Sequence, residues 1–143
     1  MSKGKRWDIK GKIEAFERFE KNVPKRVGNI ALNHFLKSWD DEAFSDSTEG
    51  SSPWAVRKTP NKADRTTGRC RQLLIDSGAL KKSMKVERPA TFKRIAVGSY
   101  GIKYAQFHNR GTSRLPKRQF VGASKMLNRK IMLLIRNELK RIL

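Results

Sequence analysis

The sequence predicts an α+β fold, and three observations carry that reading. Apolar residues recur at helical spacing over 13–39 and again over 127–142, and they alternate with polar residues near 84–97. The implied order is N-terminal helices, a small antiparallel sheet and a long C-terminal amphipathic helix.

Residues 1–10 are basic and read as a loose arm. From Gly11 the spacing Ile13, Phe16, Phe19, Val23 is helical, with Glu14–Arg18 and Glu17–Lys21 as i,i+4 pairs in the favourable order. Pro24 interrupts, and its missing N–H costs nothing in the first turn of a new helix. The stripe Val27, Ile30, Ala31, Phe35, Trp39 continues one face, leaving open two helices or one kinked helix. Residues 40–53 hold five acids, no bases and many small polar residues, which predicts a mobile acidic loop. The basic segment after it is pinned by Trp54 and turns helical near Arg69–Ile75.

Asp76-Ser77-Gly78 is a turn. Leu80 and residues 83–88 begin a strand, Pro89-Ala90-Thr91 turns the chain, and residues 92–98 return with Ile95 and Val97 inward. Gly98 to Gly101 turns again. A short helix from Tyr104 to Asn109 stops at Gly111. Thr112 to Gln119 is a basic loop around Pro116. Ser124 caps the last helix, Lys125 to about Ile142, whose stripe is Leu127, Ile131, Leu134, Ile135, Leu139 and Ile142.

A chain of 143 residues suits one domain, 1–143. At this size about two-thirds of the unfolded surface is buried. Its 37% apolar and 32% charged content predicts a small core, or a core shared with neighbours. The 33 basic against 13 acidic residues give +20. Nearly all of that surplus follows residue 50, where 23 basic residues face 4 acidic ones. Such a field attracts nucleic acid, an anionic membrane or an acidic protein, and makes free copies repel one another. The single Cys70 forms no intrachain disulfide, which is compatible with a reducing cytoplasm. No apolar run is long enough to span a membrane, so no membrane partner is expected. The basic N-terminus has no signal-peptide apolar stretch behind it.

Catalysis has little to build on. His108 lacks a carboxylate at a recognisable spacing, and the only other histidine is His34. The His108-Asn109 pair invites a nuclease reading, but a second histidine and acidic metal ligands are missing. No metal-ligand spacing or phosphate cradle is present, so neither metal nor cofactor is expected. Arg69 and Arg71 could activate Cys70, yet an inert thiol is the simpler reading. The cations Lys81, Lys82, Lys85, Arg88, Lys93 and Arg94 fall on the hairpin. Arg110, Arg114, Lys117 and Arg118 fall on the basic loop, and Lys125, Arg129 and Lys130 on the closing helix. They are the candidate surface for DNA or for another subunit; with no base-reading motif beside them, any contact with nucleic acid is to phosphate, without sequence readout. The alternative at this point is a free, non-specific nucleic-acid-binding protein.

Five motifs in order add a resemblance. The segment VPKRVGNIALNHFLKSW is followed by SPWAVRK with Trp54, then by Leu74, Ser77, Gly78, Leu80 and Ser83. Tyr104, Ala105, His108, Asn109 and Gly111 come next, then Arg118, Phe120 and Gly122. In these the chain resembles the phage virion morphogenesis proteins, the tail-completion or head–tail joining family of Mu-type phages. Arg110 departs from the pattern, which more often has an acidic or aromatic residue there. The resemblance implies a structural virion protein of the neck or tail, present in the host cytoplasm during assembly. It implies a homo-oligomeric ring with other neck and tail proteins as partners, accommodating DNA. Within it, His108 and Asn109 are expected to fix a turn by side-chain-to-backbone hydrogen bonds, and Phe120 to anchor the closing helix. Arg114, Lys117 and Arg118 are expected to ride on an exposed loop that meets a neighbour or DNA.

Overall fold

A computed structural model describes residues 8–47, 50–57 and 72–143. Trp7, Cys70 with its flanking arginines, and most of the expected arm lie outside them. The fold is α+β. Helix α1 spans Ile9–Asp41, β1 Ala43–Phe44, β2 Ser52–Pro53, α2 Ala79–Lys82, β3 Met84–Val86, β4 Val97–Ser99, α3 Ala105–Arg110 and α4 Lys125–Ile142.

The N-terminal region is one helix, not two. Asp8 caps it, its carboxylate accepting from Gly11 N at 2.9 Å. Pro24 sits inside, buried beside Val23. A proline there costs about 3 kcal/mol, set against the burial of this turn and the 2.6 Å ion pair between Arg26 and Glu138 of α4. Of the two expected helical pairs, Glu14–Arg18 forms loosely at 4.0 Å. Glu17 and Lys21 have no ion-pair partner among the described residues.

The acidic segment is not simply a loop. Ala43 and Phe44 are buried and pair antiparallel with Pro53 and Ser52. Phe44 stacks on Phe35 at 6.4 Å. Glu42 adopts a left-handed conformation, φ 47°, that turns the chain off α1. Its carbonyl accepts from Trp54 N at 2.7 Å and its carboxylate from Leu73 N at 2.6 Å. Residues 72–75 form a turn with Leu74 at φ 59°, where helix was expected.

Leu80 belongs to α2, not to the strand. The hairpin pairs Met84 with Ser99, Lys85 with Gly98 and Val86 with Val97. Gly98 and Ser99 are therefore strand, and only Gly101 of the expected turn has a turn conformation, φ 77°. The hairpin lies on α1 at Gly28, where a Cβ would come 2.7 Å from Val86 Cγ1; a side chain there would push helix and sheet apart. Helix α4 runs antiparallel to α1. Its start meets Ser45 and Asp46, and its end accepts a 3.0 Å hydrogen bond from Lys12 Nζ to Leu143 O. The core joins Phe35, Trp39, Phe44, Trp54, Leu80, Met84, Phe120 and Leu127.

Candidate nucleic-acid interface

The segment Tyr104 to Gly122 is held by three side chains. Asn109 is the first. Its Oδ1 accepts from Phe120 N at 2.9 Å and Val121 N at 3.0 Å, and its Nδ2 donates to Val121 O at 3.0 Å. Trp54 is the second, donating from Nε1 to Gln119 O at 2.6 Å while its ring meets Trp39 edge-on at 5.9 Å. Arg118 is the third. Its Nε donates to Ala55 O at 2.9 Å, and its own backbone N donates to His108 O at 2.8 Å.

Arg118 is therefore not on an exposed loop. It is 8% exposed. Burial pulls its pKa down, with Arg57 adding to the fall and Glu42 opposing it. It remains a cation, spent on sealing the fold. Asn109 fixes the turn as expected, but His108 contributes its backbone carbonyl instead of its ring. The ring lies edge-on to Tyr104 at 5.8 Å, and its Nδ1 is buried without a hydrogen-bond partner among the described residues. Burial, then Arg118, lowers the His108 pKa. The neutral imidazole is favoured, and no carboxylate among the described residues orients it.

Phe120 is buried 4.9 Å from the Trp39 ring, just ahead of α4. Ser124 caps α4 by accepting from Leu127 N at 3.1 Å, and its hydroxyl donates to Ser45 O at 2.5 Å. That carbonyl also lies 3.2 Å from His34 Nε2, so this nitrogen carries the hydrogen. Burial, then Lys130, lowers the His34 pKa. Gly111 closes α3 at φ 76°, while Ala105 is buried and Gly122 lies 3.8 Å from the Phe44 ring edge, measured from a notional Cβ. Ser77 Oγ accepts from Ala79 N at 3.3 Å and Gly78, φ 75°, opens α2. Ser83 donates to Leu80 O at 2.7 Å and meets Ser99 Oγ at 2.6 Å, tying α2 to β4.

The predicted cations separate into two groups. Lys81 pairs with Asp40 at 2.7 Å and Arg94 with Glu87 at 2.9 Å, so both are partly neutralised. Lys82, Lys85, Arg88, Lys93, Arg110, Arg114, Lys117, Lys125, Arg129 and Lys130 are exposed with no carboxylate partner among the described residues. Lys85 and Arg88 come together in a groove of about 1210 Å³ between α1 and the hairpin. Lys25 of α1 joins them there, with Leu32, Val86 and Pro89 as apolar lining. Lys85 Nζ stands 5.1 Å from the Tyr100 ring centroid. The sequence singles out Lys85 and Arg88 as hairpin cations but not Lys25. Its signal was available, since Lys25, Asn29 and Leu32 share one helical face.

Among the described residues no group of three or more His, Cys, Asp or Glu is placed to hold a metal ion, and no helix is long and apolar enough to cross a membrane. No family model, curated protein or solved structure matches the chain.

Proposed function

We propose that the chain is a structural subunit of a phage neck, a tail-completion or connector protein that assembles in many copies and lines a passage for DNA. The carrying observation is the set of exposed cations Lys82, Lys93, Lys125, Arg129 and Lys130, which have no carboxylate partner among the described residues, joined by the basic groove of Lys25, Lys85 and Arg88. Repeated around a collar, such a surface attracts phosphate without reading bases. The order of motifs over Trp54–Gly122 supports the same reading. Several of their residues form the scaffold of one seam: Trp54, Asn109, Arg118 and Phe120 bind Gln119, Val121, Ala55 and the Trp39 ring.

An antibody against the chain, applied to tailed particles from the cells that encode it, tests this. Decoration of the neck supports the proposal. Particles free of the chain, with the protein instead bound along DNA as a monomer, would replace it with a free nucleic-acid-binding protein.

A further inference from the structure

Helix α1 carries its core-facing stripe well beyond the core. Eighteen residues make about five helical turns and bring a side chain back to the same face about 27 Å along the axis. Val27, Ala31, His34 and Ser38 are all buried. The residues eighteen places before them are Ile9, Ile13, Phe16 and Glu20, and all four are exposed. Ile13 is 55% exposed and Ile9 64%. Phe16 meets the Phe19 ring edge-on at 6.5 Å and is still 39% exposed. Phe19, on the flank, stacks on Phe92 of the hairpin tip at 5.4 Å, and Lys12 reaches the end of α4. The face also carries carboxylates. Glu20 lies in the stripe and Glu17 beside it, and neither has an ion-pair partner among the described residues of a chain with 33 cations.

The complementary chemistry lies elsewhere on the same chain. Tyr104, Phe107 and Leu115 are exposed apolar side chains in one short segment. Arg110, Arg114 and Lys117 stand exposed among them, and no carboxylate occurs between Glu87 and Glu138. This segment cannot reach the stripe in its own subunit. Ala105 packs in the cluster of Phe35 and Trp39, roughly 30 Å further along α1 than Ile13 at 1.5 Å per residue.

We infer that the exposed, carboxylate-bearing face of α1 (Ile9, Ile13, Phe16, Glu17, Glu20) docks on the basic, apolar segment Tyr104–Lys117 of a second copy. Apolar side chains meet at the centre and opposite charges at the rim, the usual anatomy of a specific interface. The two surfaces differ and lie at opposite ends of α1, so the contact is head-to-tail. Such a contact closes into a ring or propagates as a filament. It also eases the association of copies with a charge of +20: each interface brings two carboxylates of one subunit to a segment of the next that has cations and no carboxylate. The inference rests on the reading of the chain as a many-copy subunit, and names the surfaces that join the copies.

Two variants test it. One carries Ile13→Ser with Phe16→Ser, and the other Phe107→Ser with Leu115→Ser; all four positions are exposed, so the fold should tolerate the changes. At about 0.15 M salt, where charges are screened beyond about 8 Å, wild type should sediment as an oligomer that grows with concentration. Each variant alone should be monomeric, with self-association weakened roughly a hundredfold or more, the scale of losing two apolar anchors. Mixed in equal amounts, they should form a dimer and nothing larger, because one intact face meets one intact segment. The dimer also shows that both variants are folded. A wild type monomeric at every concentration overturns the inference. So do variants that assemble as wild type does, or a segment variant that still dimerises alone through paired α1 faces. DNA retention by the same proteins separates this from the neck reading: assembly through these residues in a chain indifferent to DNA supports the interface and removes that reading.

Discussion

Asn109 and Val121 bond to each other twice: Asn109 Nδ2 donates to the Val121 carbonyl and Val121 N donates to Asn109 Oδ1, both at 3.0 Å. A side-chain amide thus substitutes for a neighbouring strand, and it serves Phe120 N as well. Asn109→Ala removes all three bonds and leaves partly buried backbone groups unpaired. The expected loss is about 2–4 kcal/mol in urea unfolding, at about 1 kcal/mol per bond with added desolvation cost. Asn109→Asp keeps the two accepting bonds and should lose less. Equal losses in the two variants would show that the amide nitrogen contributes as much as all three bonds together.

Arg118 is the structural cation within a basic loop. Arg118→Ala should cost about 1–3 kcal/mol, the range of a charge-assisted hydrogen bond to a partly buried carbonyl, here that of Ala55. Compared at equal folded fraction, DNA retention should not change, because the guanidinium is buried. Lys125→Ala with Arg129→Ala, exposed cations of α4, should do the reverse, weakening retention and leaving the unfolding midpoint in place. A binding loss in Arg118→Ala without a stability loss would refute this assignment.

Gly111 ends α3 at φ 76°, ψ 166°, a region nearly reserved for glycine. A Cβ there would lie 2.9 Å from Lys117 N and 3.0 Å from Lys117 Cα. Gly111→Ala should therefore destabilise by about 1–3 kcal/mol and loosen the return of the chain to Arg118. Gly98→Ala is the control, since nothing lies within 4 Å of its notional Cβ. Similar thermal midpoints for the two variants would contradict the strain argument.

These examples also show what the sequence could disclose. The Ser124 cap and the Gly111 stop were legible because their causes are local, a hydroxyl three residues from Leu127 N and a turn needing positive φ. Residues 40–53 were misread because their charge resembles a loop while two apolar residues, Ala43 and Phe44, decide their burial. The role of Glu42 was invisible for a different reason: its carboxylate partner, Leu73 N, is 31 residues away. Arg118 looked like its basic neighbours, and its acceptor lies 63 residues back in the chain. Pro24 suggested a helix start, but its buried position and the neighbouring Arg26–Glu138 pair lie within a continuous helix.

Stability should depend on pH in a window set by the histidines. Burial, reinforced by Lys130 and less by Lys37, lowers the His34 pKa despite its bond to Ser45; burial and Arg118 lower that of His108. A lowered folded pKa means that the unfolded chain binds more protons. The contribution is complete above the ordinary value of 6.5 and is lost as pH falls below it toward the folded values. Thermal midpoints should drop on going from about pH 7.5 to about pH 5.5, and His34→Gln should flatten that slope. Glu138, held low first by its hydrogen bond from Arg26, acts in a separate window, below the usual carboxylate range. An unchanged slope in His34→Gln would remove His34 as a cause.

The ion pairs of Lys81 and Arg94 offer a test of the DNA surface by gain instead of loss. Asp40 and Glu87 hold these cations at 2.7 and 2.9 Å, in exposed pairs worth about 0–1 kcal/mol each. Asp40→Asn and Glu87→Gln remove the competing carboxylates at little cost to stability. Each phosphate contact contributes about 0.9 to the slope of log affinity against log salt on duplex DNA. The double variant should therefore steepen that slope by up to about 1.8, read by anisotropy of a labelled duplex over a salt series. Removing Lys25, Lys85 and Arg88 together should flatten it by up to about 2.7, because all three line one groove and have no carboxylate partner of their own among the described residues. If the carboxylate variants steepen the slope while the groove variants leave it unchanged, phosphate is held beside α2 and the hairpin tip, not between α1 and the hairpin. If neither moves it, the basic surface faces an acidic protein instead of DNA.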